Sequence, residues 1–130
     1  MNIKAIRSNR KQWAFTLLEI MIVVALIGLL AVLAIPSFIR GRKQSQGRRI
    51  VNDARIIDAA VDAWAMEAGK SDGAAVELDG LAPYAKSGKL PVNDVLGNPY
   101  GVGPVGTNQV RISTSTKTAL AGVGVDWSTY

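Results

Sequence analysis

The sequence predicts an α+β protein: a long N-terminal helix packed on a small, glycine-rich head that carries a short antiparallel sheet. Three observations predict it. Residues 15–39 form an apolar run with a single charge, Glu19. Ile50, Ala54, Ile57, Val61, Trp64 and Ala68 then recur at spacings of four and three, the mark of one apolar helix face. The remainder is rich in turn formers and holds two stretches that alternate as strands do.

The first element sets the organisation. The run FTLLEIMIVVALIGLLAVLAIPSFI is 25 residues long, about 37 Å as a helix, against a hydrocarbon core of about 30 Å. Sixteen of its residues are Leu, Ile, Val or Phe. Together they favour insertion by roughly 5 to 10 kcal/mol, more than the roughly 3 kcal/mol cost of one carboxylate at mid-helix. A cleaved secretory signal has a shorter run followed by a small-residue site, and this one ends in Ile35-Pro36-Ser37-Phe38-Ile39-Arg40. A plain anchor gains nothing from Glu19. An ionisable group inside a membrane needs a partner, and no other charge lies in this run. Pro36 either ends the helix or kinks one that continues. Gly28 allows close helix approach or is incidental.

Charge is concentrated before the run. Lys4, Arg7, Arg10 and Lys11 give the first 14 residues +4 of the total +5. The body is therefore nearly neutral, and the overall basicity does not point to nucleic acid. Arg40, Arg42, Lys43, Arg48 and Arg49 follow the run closely, so counting flanking charges leaves its orientation ambiguous. Their setting is a solvated helix face near anionic headgroups of a lipid bilayer. There is no cysteine and no histidine, which removes disulfides, thiolate metal sites and most general acid–base chemistry. No catalytic constellation remains, and an enzyme is not expected. Gly101 to Gly106 match G-x-G-x-x-G, yet a strand-like segment follows where a dinucleotide site requires a helix.

Lys11-Gln12-Trp13-Ala14 followed by Phe15-Thr16-Leu17-Leu18-Glu19, then unbroken apolar sequence to Pro36, resembles the N-terminal signature of type IV prepilins and type II secretion pseudopilins. The resemblance implies several roles. A prepilin peptidase cuts between Ala14 and Phe15, the new Phe15 amine is N-methylated, and Glu19 recognises the amine of a neighbouring subunit. It also decides orientation: a single pass through the bacterial inner membrane, leader cytoplasmic and body periplasmic. Identical or related pilin-like subunits and an inner-membrane assembly platform are the implied partners, and the filament is extracytoplasmic. One departure is Ala14, where the family usually has glycine.

Four segments follow: a leader (1–14), a transmembrane and assembly helix (15–39), its amphipathic continuation (40–68), with Gly69 as C-cap, and the head (69–130). Within the head, residues 77–85 predict a short helix interrupted near Pro83, and 108–114 and 117–125 predict strands. Val110, Ile112, Leu120, Val123 and Val125 are the expected cover for the helix stripe. Asp94-Val95-Leu96-Gly97-Asn98-Pro99-Tyr100 resembles the aspartate, aromatic, Gly-Asn-Pro-Tyr turn of major secretion pseudopilins, with Leu96 where those have tryptophan. In that family a nearby loop binds calcium. Here only Asp126 follows Tyr100 as an acid, against the six to eight oxygens calcium takes, so no cofactor is expected. The resemblance implies a structural subunit of a secretion pseudopilus. A surface type IV pilin, serving adhesion, motility or DNA uptake, and a single-span anchored binding protein are the competing readings.

Overall fold

The computed structural model describes residues 15–130. The elements in chain order are helix α1 (Leu17–Glu67), a 3-10 helix (Leu78–Tyr84), strands β1 (Gly101–Val102) and β2 (Val110–Arg111), and helix α2 (Thr114–Ala119). The chain divides into two compact units, Met1–Ser37 and Phe38–Tyr130.

In the described part of the first unit nearly every side chain is exposed, with Leu17 at 81% and Leu30 at 65%. Among the described residues, Leu, Ile and Val stand bare on every side of this helix stretch, a surface that calls for an apolar surround. The stretch is long and apolar enough to cross a membrane. Helix α1 includes Pro36, so of the two readings of that residue, continuation is the one observed.

The second unit is built on the rest of α1. Ile50, Ala54, Ile57 and Val61 are fully buried, as the apolar spacing predicts, and Ala60 and Ala65 join them. Leu81, Tyr100, Val105, Val110, Ile112 and Leu120 close over this stripe. Trp64 is only half-buried, and Ala68 is exposed beyond the helix end. Termination has a clear cause. Gly69 takes φ +59°, a conformation glycine adopts without the steric cost other residues meet. The Lys70 N–H then reaches back to the Ala65 carbonyl at 2.8 Å, the longer bond of a Schellman cap.

The 3-10 helix stands where residues 77–85 predict a short helix, and it runs through Pro83. The sheet is smaller than the sequence suggests and differently composed. Only Val110 and Arg111 of the expected 108–114 strand pair, antiparallel, with Val102 and Gly101. The expected strand at 117–125 does not form; α2 occupies its beginning. Of the expected cover, Val110, Ile112 and Leu120 are buried while Val123 and Val125 are half-buried. Val125 nevertheless matters. It lies so close to buried Gly47 that a Cβ there would sit 2.5 Å from its Cγ2.

Candidate assembly site

The residues singled out by sequence fall in two places, one in each unit. In the first, Phe15 is 75% exposed and Glu19 is the acid of the first turn of α1. Thr16 starts the helix. Its carbonyl accepts the N–H groups of Glu19 and Ile20 at 3.1 and 3.3 Å, and its hydroxyl accepts the Glu19 N–H at 3.2 Å. This is one arm of a capping box, which satisfies an amide that the helix itself cannot. Thr16 is not among the residues singled out above, although Thr-Leu-Leu-Glu carries the S/T-x-x-E signal. The Glu19 carboxylate is exposed among the described residues and sits at the positive end of the helix dipole. Ala14, the residue expected before the cut, lies outside the described residues. Among the described residues nothing approaches within 4 Å of a Cβ placed on Gly28.

In the second unit, residues 94–100 form a closed loop around one carboxylate. Asn93 and Pro99 pair as an isolated antiparallel bridge. The Asp94 N–H donates to the Asn98 carbonyl at 2.8 Å, and the Asp94 carbonyl accepts from Gly97 at 3.0 Å. Gly97 has φ +87°, so the turn needs glycine there. The Asp94 side chain, 7% exposed, fills the loop. Its Oδ1 accepts the N–H groups of Leu96 and Asn98 at 2.8 and 2.9 Å. Its Oδ2 accepts the Thr116 hydroxyl, to which Asn98 Nδ2 also donates at 2.9 Å. The loop is thereby fastened to α2.

Tyr100 carries the loop back to α1. Its ring is buried, and its hydroxyl donates to Asp53 at 3.4 Å. Burial, and then the charges of Asp53 and Asp94, push its ionisation well above the usual phenol range. A second tie lies nearby in sequence. Gln109, 6% exposed, donates through Nε2 to Asp58 at 3.1 Å and Asp62 at 2.8 Å. Burial and the neighbouring Asp62 charge raise the Asp58 pKa, and the Gln109 bond opposes them. Neither Thr116 nor Gln109 is marked in the sequence. Their partners are distant along the chain, so no local pattern points to them.

These side chains hold the head's loops and do no evident chemistry. Calcium is the one cofactor the family turn brings into question, and Asp94 within that turn and Asp126, the one acid after it, are engaged by the protein's own donors. Both Asp94 oxygens are occupied by the protein's own donors. Asp126 bonds the Ser128 amide at 2.9 Å. Among the described residues no three acidic side chains come together in one cluster.

Residues 9–35 match the prokaryotic N-terminal methylation motif. The chain is 30% identical over 105 residues to type II secretion system core protein G of Aeromonas hydrophila, covering 71% of this chain and 73% of that protein. The protein of the same name from Escherichia coli K12 is 34% identical over 61 residues, 47% of this chain and 42% of that one. The type IV major pilin protein PilA of Myxococcus xanthus is 32% identical over 120 residues, 90% of this chain and 49% of that pilin. The chain thus spans most of the Aeromonas protein and less than half of the other two. No solved structure matches it significantly.

Proposed function

The chain belongs to the pilin-like family of type II secretion core protein G, and on that premise we propose that it is a structural subunit of a secretion pseudopilus. A prepilin peptidase releases residues 1–14, the Phe15 amine is methylated, and α1 anchors the subunit in the inner membrane with its head on the periplasmic side. Assembly transfers that helix from lipid into a filament of like subunits on an inner-membrane platform, where Glu19 pairs with the amine of a neighbour. The single observation that carries this reading is Glu19, the one charge of residues 15–39, inside the methylation motif. A charged carboxylate in an apolar surround is costly without a partner, and cleavage before Phe15 creates a cation at the membrane edge.

The test has two parts. Intact mass of the purified chain gives a product starting at methylated Phe15; retention of residues 1–14 refutes processing. Glu19→Ala leaves insertion unchanged and abolishes filament incorporation; wild-type assembly of that variant removes the role given to the carboxylate. A second reading, a surface type IV pilin, is favoured by the alignment of 90% of this chain with the Myxococcus pilin. A secretin and secretion ATPase encoded alongside support the pseudopilus, whereas a retraction ATPase supports the pilus.

A further inference from the structure

Between α1 and the segment that follows α2 lies an open groove of about 590 Å³, within the size range of ligand-binding clefts. One wall is a face of α1. Arg48, Asn52 and Arg55 line it, and at 100° per residue they fall within an arc of about 60°. The two arginines are rooted about 10 Å apart along the helix axis, with Asn52 between them. All three side chains are exposed. The facing wall is Val125, Asp126, Thr129 and Tyr130, of which Val125 and Tyr130 are half-buried. An arginine on a helix surface ordinarily faces water alone. These two face a cleft that is partly apolar on its other side.

The acids near these arginines are already engaged. Asp126, among the described residues the one acid lining the groove, accepts the Ser128 amide at 2.9 Å. Asp53 accepts the Tyr100 hydroxyl, and Asp58 and Asp62 share Gln109. A guanidinium fork matches a carboxylate, which it holds through two parallel hydrogen bonds. A lone oxyanion would leave the apolar part of the facing wall unused, whereas an extended peptide uses both walls. Its side chains alternate between two sides, and those on one side recur every ~7 Å, a spacing that arginine arms rooted about 10 Å apart span. Lipid headgroups fit less well. Arg48 lies about 13 Å along α1 from Ile39, where the apolar run ends, and a headgroup layer is about 5–8 Å thick. We propose that this groove binds an extended acidic segment of another protein, with alternate carboxylates on Arg48 and Arg55 and the intervening apolar side chains against Val125 and Tyr130. Such a segment is bound by the single subunit, whichever filament the chain builds.

The probe is a dye-labelled hexapeptide of alternating glutamate and valine, titrated against the full chain in nonionic detergent and read by fluorescence anisotropy. Saturable binding is expected, with a glutamine–valine counterpart at least about tenfold weaker. Arg48→Gln and Arg55→Gln each weaken the acidic peptide by about tenfold or more, since each removes one charged hydrogen-bonding partner. Arg42→Gln removes the same charge from an exposed position of α1 outside the groove and changes affinity by less than about twofold. Asn52→Trp keeps both cations, fills the groove and abolishes binding. The proposal is overturned if the acidic peptide shows no binding up to about 1 mM or if the glutamine counterpart binds as tightly. It is overturned too if Arg42→Gln costs as much as Arg48→Gln, the mark of a diffuse charge effect. Displacement of the peptide by inorganic phosphate, or by phosphatidylglycerol added to the micelles, overturns it in favour of a phosphate site. Binding that falls as the chain concentration rises overturns it in favour of a second copy in the groove.

Discussion

Removing the Asp94 carboxylate tests whether the loop at 94–100 is held by that one side chain. In Asp94→Ala three donors lose their acceptor: the amides of Leu96 and Asn98 and the hydroxyl of Thr116. They are not equal. Thr116 is fully buried, Asn98 half-buried, and Leu96 39% exposed. A buried donor left unsatisfied costs about 1–3 kcal/mol, whereas an amide that water reaches costs little. The three together give about 3 kcal/mol, a large share of a total stability of about 5–15 kcal/mol. For a head of this size that lowers the thermal midpoint by about 15 °C. Asp94→Asn keeps an oxygen facing both amides and gives up only the acceptor for Thr116, so its cost is about 1 kcal/mol. The assay is unfolding of the processed chain in detergent, followed through Trp64 and Trp127, which both pack against the core. An Asp94→Ala variant within about 0.5 kcal/mol of wild type would refute the reasoning, as would an Asn variant no better than Ala.

Three further outcomes follow from the same structure. Gly47→Ala gains helix propensity but drives a methyl into Val125; a net loss of about 1–2 kcal/mol is expected, with recovery in Gly47→Ala/Val125→Ala, both read from the same unfolding curves. Asp58 has its pKa raised in the fold above the ordinary 3.8, so the folded state holds a proton that the unfolded chain releases. Its contribution to stability is present below 3.8 and is lost as pH rises through the folded value. Asp58→Asn, which keeps an acceptor for Gln109, should therefore be more stable than wild type at pH 7, with the difference shrinking in titrations taken below 3.8. With Asp94 and Asp126 both engaged by protein donors, chelation of calcium should leave the unfolding midpoint unchanged; a fall on chelation, reversed by calcium alone, would show that the head holds the ion.

Legibility in the sequence depends on whether the cause of a feature is local. The apolar run and the stripe of Ile50, Ala54, Ile57 and Val61 follow from periodicity, and periodicity is a property of neighbours. Gly69 ends α1 for a reason visible in one residue. Residues 117–125 read as a strand because threonines and valines favour extended chain. Six residues of α2 could not hold as a helix alone. They hold because Thr116 reaches Asp94 and Asn98 and because Leu120 enters the core. Those partners lie 22 and 18 positions away, beyond any window used to judge a helix. The turn at 94–100 is recognisable as a motif, whereas its purpose, fastening α2, is not. Thr16 is the opposite case: its signal is local and complete in Thr-Leu-Leu-Glu, yet it is masked by the apolar run, in which Glu19 is the feature that stands out.

The contact between Gly47 and Val125 bears on how the chain is delivered. The inner face of α1 is closed by segments far downstream of it, Leu120 and Val125 among them. During N-to-C synthesis or threading through a translocation channel, the helix stripe emerges long before its cover does. Late closure leaves the helix stripe uncovered until residues 120–125 have emerged.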